Sequence, residues 1–169
     1  AEALLNQLDE RARQQNQDIY VLAYHVDYWN NLGWIDRFSQ RTFSKRQRRY
    51  DRVLKEGVYT PQMVVDGRVG FVGSDGRRAQ NEISKALSQN VKALPLTAYK
   101  KGNSILAKTS LKGSVTFALV MNDLRTRVKR GENAGRTLVH RGVVRSLKVV
   151  AKGEVGFDVP KESSRDLSV

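Results

Sequence analysis

The chain has no cysteine in 169 residues, which excludes disulfides, cysteine-ligated zinc and any thiol chemistry by its own side chains. Proline is scarce, at three residues, and histidine scarcer, at two. No apolar run approaches the roughly 18 residues a membrane-spanning helix needs, so no transmembrane helix is expected. Acidic residues are few beside basic ones: 17 against 30 gives a net charge of +13. What is present suffices for a core, because 40% of residues are hydrophobic and 28% charged, unlike a disordered polymer.

The first residues place Ala1, Leu4, Leu5, Leu8 and Ala12 at helical spacing, with Glu2, Asp9, Glu10 and Arg11 off that stripe. No capping residue, initiator methionine or signal peptide precedes them. Two explanations stay open: a helix fraying at a natural end, or a chain that continued upstream. Ile19–Val26 is a nearly unbroken β-branched and aromatic run, and predicts a strand buried on both faces among parallel neighbours. A basic helix is expected over Asp36–Lys55, with Phe38, Phe43, Tyr50, Val53 and Leu54 inward and Gly57 as its stop. Asp66-Gly67 between apolar runs predicts a hairpin of Gln62–Val65 with Val69–Val72. Ser74-Asp75 then caps a helix to about Asn90, with Ile83, Ala86 and Leu87 inward. A buried strand followed by a hairpin implies an α/β or α+β layer, one strand short of what Ile19–Val26 requires.

After Ala93 the pattern changes to short strand-like runs: Leu96–Lys100, Ile105–Lys108, Val115–Met121, Thr126–Lys129, Thr137–Val150 and Val155–Val159. Turn signals stand at Gly102-Asn103, Lys112-Gly113-Ser114, Gly131 to Gly135 and Gly153. The spacing predicts a small antiparallel, β-sandwich-like domain over 94–169, ending in a flexible polar tail from Lys161. Residues 1–93 carry a net charge of +4 and residues 94–169 a net charge of +9.

The order Val58-Tyr59-Thr60-Pro61, strand, Asp-Gly, strand, small-residue turn and amphipathic helix matches the second half of the thioredoxin fold. Further matching segments are Tyr24-His25-Val26-Asp27-Tyr28-Trp29, Leu32-Gly33-Trp34, Arg46-Gln47, Gly67 and Val72-Gly73-Ser74-Asp75, then Arg130–Leu138 and Val143–Leu147. On these residues the chain resembles a bacterial family of secreted, thioredoxin-like proteins of unassigned function. The resemblance implies an α/β thioredoxin-like domain over 1–93, N-terminally truncated so that its first strand and Cys-x-x-Cys segment would lie upstream of Ala1. It implies a secreted or periplasmic protein, oxidoreductase-like toward thiols and disulfides in its full-length form and inactive in thiol chemistry without cysteine. It also implies a cis bond at Pro61, with Tyr59, Thr60 and Pro61 binding a protein or peptide disulfide substrate. No cofactor and no metal is expected, and the oligomeric state stays open.

His25, Asp27, Tyr28, Trp29 and Trp34 are candidates to line that cleft, because ligands gather beyond the carboxyl ends of strands in open α/β sheets. His25 or Asp27 could tune a thiol or relay protons, or the group could be a polar strand tip over aromatic packing. His25 and His140 lie in different domains at no metal-ligand spacing. The segment Gly131–Arg136 lacks a phosphate loop's Gly-Lys-Ser/Thr ending and is expected to be a turn. The cation run Arg37, Arg41, Lys45, Arg46, Arg48, Arg49, Arg52 and Lys55 comes with no nucleic-acid module, so nucleic acid is not the expected partner. The rival reading is a non-enzymatic basic module that holds an acidic polymer or protein on the +9 second domain.

Overall fold

Helical periodicity at the start of the chain produces α1, Glu2–Gln14, which buries Leu8 and Ala12. The computed structural model describes residues 1–89, 91, 94–128, 134–160 and 167–168. They fall into two compact units. One holds Ala1–Val21 and His25–Val91; the other holds Leu22–Tyr24 and the described residues from Leu94 onward.

In the first unit, α2 spans Arg41–Leu54, β1 Gln62–Val65, β2 Val69–Val72 and α3 Gly76–Leu87. The hairpin forms as its Asp-Gly signal requires. Asp66 and Gly67 take φ of 50° and 69°, and the Arg68 N–H donates to the Val65 carbonyl at 3.0 Å. Both central residues of a type I′ turn need positive φ, which makes Asp-Gly a favoured pair there. The ladder runs in register from Gln62↔Val72 to Val65↔Val69. Asp75 caps α3 by accepting from the Arg78 N–H at 2.9 Å. Leu8 of α1, Phe71 of β2 and Ala79 of α3 meet in one core, with Leu4, Met63, Val65, Val69 and Ile83 around it.

Two expectations for this unit need correction. Helix α2 begins at Arg41 and not at Asp36, because the residues before it are already engaged. The Asp36 carboxylate accepts from the Phe38 N–H at 2.9 Å, and its carbonyl accepts from the Ser39 hydroxyl at 2.7 Å. Phe38 and Phe43 are buried as expected, whereas Val53 is 74% exposed. Nor is Ile19–Val26 a doubly buried strand. Tyr20 is 83% exposed, and the segment's ladder contact among the described residues is a parallel bridge between Ala23 and Val143. The Ala23 N–H donates to Gly142 at 2.7 Å and its carbonyl accepts from Val144 at 3.0 Å. An apolar β-branched run favours extended backbone, but a sheet interior also needs a hydrogen-bonding neighbour on each side.

In the second unit the strands are fewer and longer than expected. They are β3 Leu96–Lys101, β4 Ser104–Met121, β5 Leu124–Arg127, β6 Thr137–His140, β7 Val143–Asp158 and β8 Leu167–Ser168. They form one four-stranded antiparallel sheet in the order β3-β4-β7, with β8 on β4, and a separate pair β5-β6. The glycine signals at 113 and 153 mark irregularities inside long strands and not turns. The β4–β7 register shifts between Lys108 and Lys112 and again between Lys112 and Val115. Gly113 and Gly153 supply the positive φ, 106° and 50°, that such bulges favour. Gly102-Asn103 is a true turn, closing Lys101↔Ser104. The expected turn at 131–135 falls partly outside the described residues, as does most of the tail; Leu167–Ser168 pairs with β4 and is no loose end. The core alternates along the strands: Ile105, Ala107, Phe117 and Leu119 of β4 face Val155 and Phe157 of β7, with Val159 beyond. This is a mixed α/β chain with several antiparallel sheets.

Candidate functional site

Within the first unit, the segment 25–36 is tied within itself, to α2 and to the turn before β1 by hydrogen bonds at His25, at Asp27 to Asn30 and at Asp36. His25 Nδ1 lies 2.5 Å from Asp36 Oδ2, with the Phe38 ring edge-on to the imidazole at 5.6 Å. A carboxylate on one ring nitrogen fixes an imidazole's orientation. The Asp27 carboxylate accepts from the Ser44 hydroxyl at 2.5 Å, and the Asp27 N–H donates back to that oxygen at 3.1 Å. Asn30 donates to Ser39 at 2.9 Å and accepts from the Asp36 N–H at 3.1 Å.

The next links reach the turn that carries Pro61. The Tyr28 hydroxyl donates to Gln47 Oε1 at 2.9 Å, and Gln47 Nε2 donates to the Tyr59 carbonyl at 2.6 Å and to Gln62 Oε1 at 3.2 Å. The Trp29 indole N–H donates to Thr60 Oγ1 at 2.9 Å, and its ring lies 5.4 Å from that of Tyr28. Thr60–Pro61 is a cis peptide. The Pro61 carbonyl accepts from the Gly73 N–H at 2.8 Å. A side chain at Gly73 would bring a Cβ within 3.3 Å of the proline ring, so the β2–α3 corner and Pro61 are in close contact.

The turn is thus clamped on both flanks, at the carbonyls of Tyr59 and Pro61. Between them, the main-chain N–H and C=O of Thr60 meet no partner among the described residues. Thr60 and Pro61 are exposed and Tyr59 half-buried. The geometry offers one open backbone rung on a fixed turn, beside an indole that is 52% exposed.

A family model described as protein of unknown function (DUF1223) matches residues 1–167. The chain belongs to the DUF1223 family. A crystal structure of a protein from Agrobacterium tumefaciens is similar to this DUF1223 chain, with a TM-score of 0.64 at 23% identity, over 92% of this chain and 71% of that one. At that identity the likeness speaks for the fold alone. No curated protein matches the chain.

Of the residues singled out in the sequence, the fold links Trp29 to Thr60 directly and Tyr28 to Tyr59 through Gln47. His25 and Asp27 sit on neighbouring links of the same segment. Trp34 is half-buried and joins none of these bonds among the described residues. His140 is buried at the end of β6 in the second unit. Among the described residues no group of three or more His, Asp or Glu could hold a metal ion. Sequence reasoning missed Gln47, Ser44 and Asp36 as structural partners. The signal was present in α2: Ser44 and Gln47 are polar yet lie on the flank of the helix that carries Phe43, and they are 2% and 9% exposed.

Proposed function

We propose that the first unit is a thioredoxin-like domain whose Tyr59-Thr60-Pro61 turn forms the substrate-binding wall of a thiol–disulfide exchange cleft. The observation that carries this reading is the open main chain of Thr60, held between two anchored carbonyls with its side chain latched to Trp29. An extended peptide can pair with a free backbone rung of this kind as it would with a sheet edge. The order α1, extended segment, α2, hairpin and α3 supports the same reading, as does the family resemblance at Val58–Val65.

The chain has no thiol of its own. The proposal therefore assigns the sulfur chemistry to a Cys-x-x-Cys segment ahead of α1 in the full-length, secreted or periplasmic protein. At a helix N-terminus the dipole and free N–H groups lower a cysteine's pKa and populate the thiolate. That thiolate attacks one sulfur of a substrate disulfide; a mixed disulfide forms and the other substrate sulfur leaves as thiolate. The second cysteine then attacks the mixed disulfide, so the cysteine pair ends oxidised and the substrate reduced by two electrons. Residues of this chain hold the substrate strand: Thr60 pairs with its backbone, and Trp29 and Pro61 flank it.

The test is insulin reduction, with dithiothreitol as electron source, by the protein extended upstream through its Cys-x-x-Cys segment. Reduction above background that disappears on Cys→Ser is the expected result. An extended protein that leaves insulin intact, or whose activity survives Cys→Ser, refutes the assignment.

A further inference from the structure

Helix α2 has a second face that thiol exchange does not use. Arg41, Lys45, Arg48 and Arg52 are spaced four, three and four residues apart, which gathers them within about 60° of one another along about 17 Å of helix. All four are exposed, and none forms an ion pair among the described residues. Arg49 flanks the row, also exposed. The nearby carboxylate of Asp51 is engaged elsewhere, accepting from the Gly57 N–H at 2.9 Å. The helix cannot roll to hide the row, because Phe43, Ser44 and Gln47 anchor its other side in the interior. Like charges at these spacings destabilise a helix. The row therefore costs the fold stability unless something anionic meets it.

The loop just ahead of α2 narrows the choice of partner. Leu32 is 64% exposed and Ile35 70% exposed, nine and six residues ahead of Arg41, the first cation of the row. Aliphatic side chains do not stack on nucleic-acid bases as aromatic ones do. They do partition into the headgroup region of a bilayer, where cations meet anionic lipid. We propose that the Arg41–Arg52 row and the Leu32/Ile35 loop form a docking surface for an anionic membrane.

The test is co-sedimentation of the 169-residue chain with vesicles of phosphatidylglycerol mixed into phosphatidylcholine, against vesicles of phosphatidylcholine alone. Each cation near an anionic bilayer strengthens partitioning roughly fivefold. Neutralising the row together (Arg41→Gln, Lys45→Gln, Arg48→Gln, Arg52→Gln) should lower partitioning by about 600-fold if the four contributions add. A matched variant removes the same charge from exposed lysines of the second unit (Lys100→Gln, Lys101→Gln, Lys108→Gln, Lys112→Gln). It should lose far less, which separates a patch from bulk charge. Leu32→Ser with Ile35→Ser should cost about tenfold while leaving the salt dependence unchanged. Far-UV circular dichroism verifies that each variant is folded. If the fourfold α2 variant fails to fold, Arg48→Gln and Lys45→Gln carry the test singly, at about fivefold each. Three results overturn the proposal: equal losses from the two charge variants, equal binding to both vesicle types, or binding to duplex DNA with none to anionic vesicles.

Discussion

Gln47 is the joint through which α2, Tyr28 and the Pro61 turn are connected, and replacing it with methionine tests whether that joint holds the site together. Methionine matches glutamine in length and fills the same space, so Gln47→Met removes the amide and little packing. Three bonds go: to the Tyr59 carbonyl at 2.6 Å, to Gln62 at 3.2 Å and from the Tyr28 hydroxyl at 2.9 Å. The half-buried Tyr59 carbonyl loses a donor that water replaces poorly, which costs about 1–3 kcal/mol. Tyr28 and Gln62 recover part of theirs from solvent, so the whole change should be about 2–4 kcal/mol. Both tryptophans, Trp29 and Trp34, lie in the first unit, so tryptophan emission in urea follows that unit even if the other unfolds separately. The midpoint should fall by about 1–2 M urea. Tyr28→Phe supplies the second edge of a double-mutant cycle. Alone it strands the Gln47 oxygen and should cost about 1 kcal/mol; in the Gln47→Met background it should cost almost nothing. A change below about 0.5 kcal/mol for Gln47→Met, or an equal cost of Tyr28→Phe in both backgrounds, refutes the network.

Trp29→Phe keeps an aromatic ring beside Tyr28 but removes the donor to Thr60 Oγ1. In the cysteine-bearing, upstream-extended protein it should lower kcat/KM for insulin reduction about two- to tenfold, the worth of one hydrogen bond, and an unchanged value would detach Trp29 from substrate positioning. Phe157 is 1% exposed in the β4–β7 core, with the Lys148 ammonium 5.3 Å above its ring. Phe157→Ala should cost about 3–5 kcal/mol in urea unfolding followed by far-UV circular dichroism, and a loss below about 2 kcal/mol would mean that the cavity collapses or that the sheet's inner face is loosely packed.

The elements legible in the sequence are those whose cause is local. The β1–β2 hairpin follows from Asp66-Gly67, the start of α3 from Asp75, and α1 from the spacing of Leu4, Leu8 and Ala12. What misled were signals whose meaning depends on distant partners. Ile19–Val26 has the composition of a buried strand, yet composition cannot supply the neighbour that would pair with it. Gly113 and Gly153 have positive φ in a turn and in a bulge alike, and only the β4–β7 register decides between them. At the candidate site, the aromatic and turn residues stood out as an unusual cluster, whereas Gln47 and Ser44 were masked by the cations around them in α2.

That masking reflects how α2 is built. Its sequence combines two patterns at nearly the same period: cations at 41, 45, 48 and 52, and inward contacts at 43, 44 and 47. Read as one run, it resembles a solvated basic helix. Separated by face, it is a rigid part whose inner side sets the position of Asp27, Tyr28 and Tyr59. Its outer side is left free to meet an anionic surface. Gln47 bonds inward to Tyr28, Tyr59 and Gln62, whereas the four cations form no ion pair among the described residues, so the two sets share no bonding partner and their effects should nearly add. Combining Gln47→Met with the four outward Arg/Lys→Gln changes should therefore lower stability as Gln47→Met alone does, and vesicle binding as the cation changes alone do. A cooperative effect on either measurement would mean that the faces communicate through the helix, and that membrane docking and the Pro61 turn belong to one device.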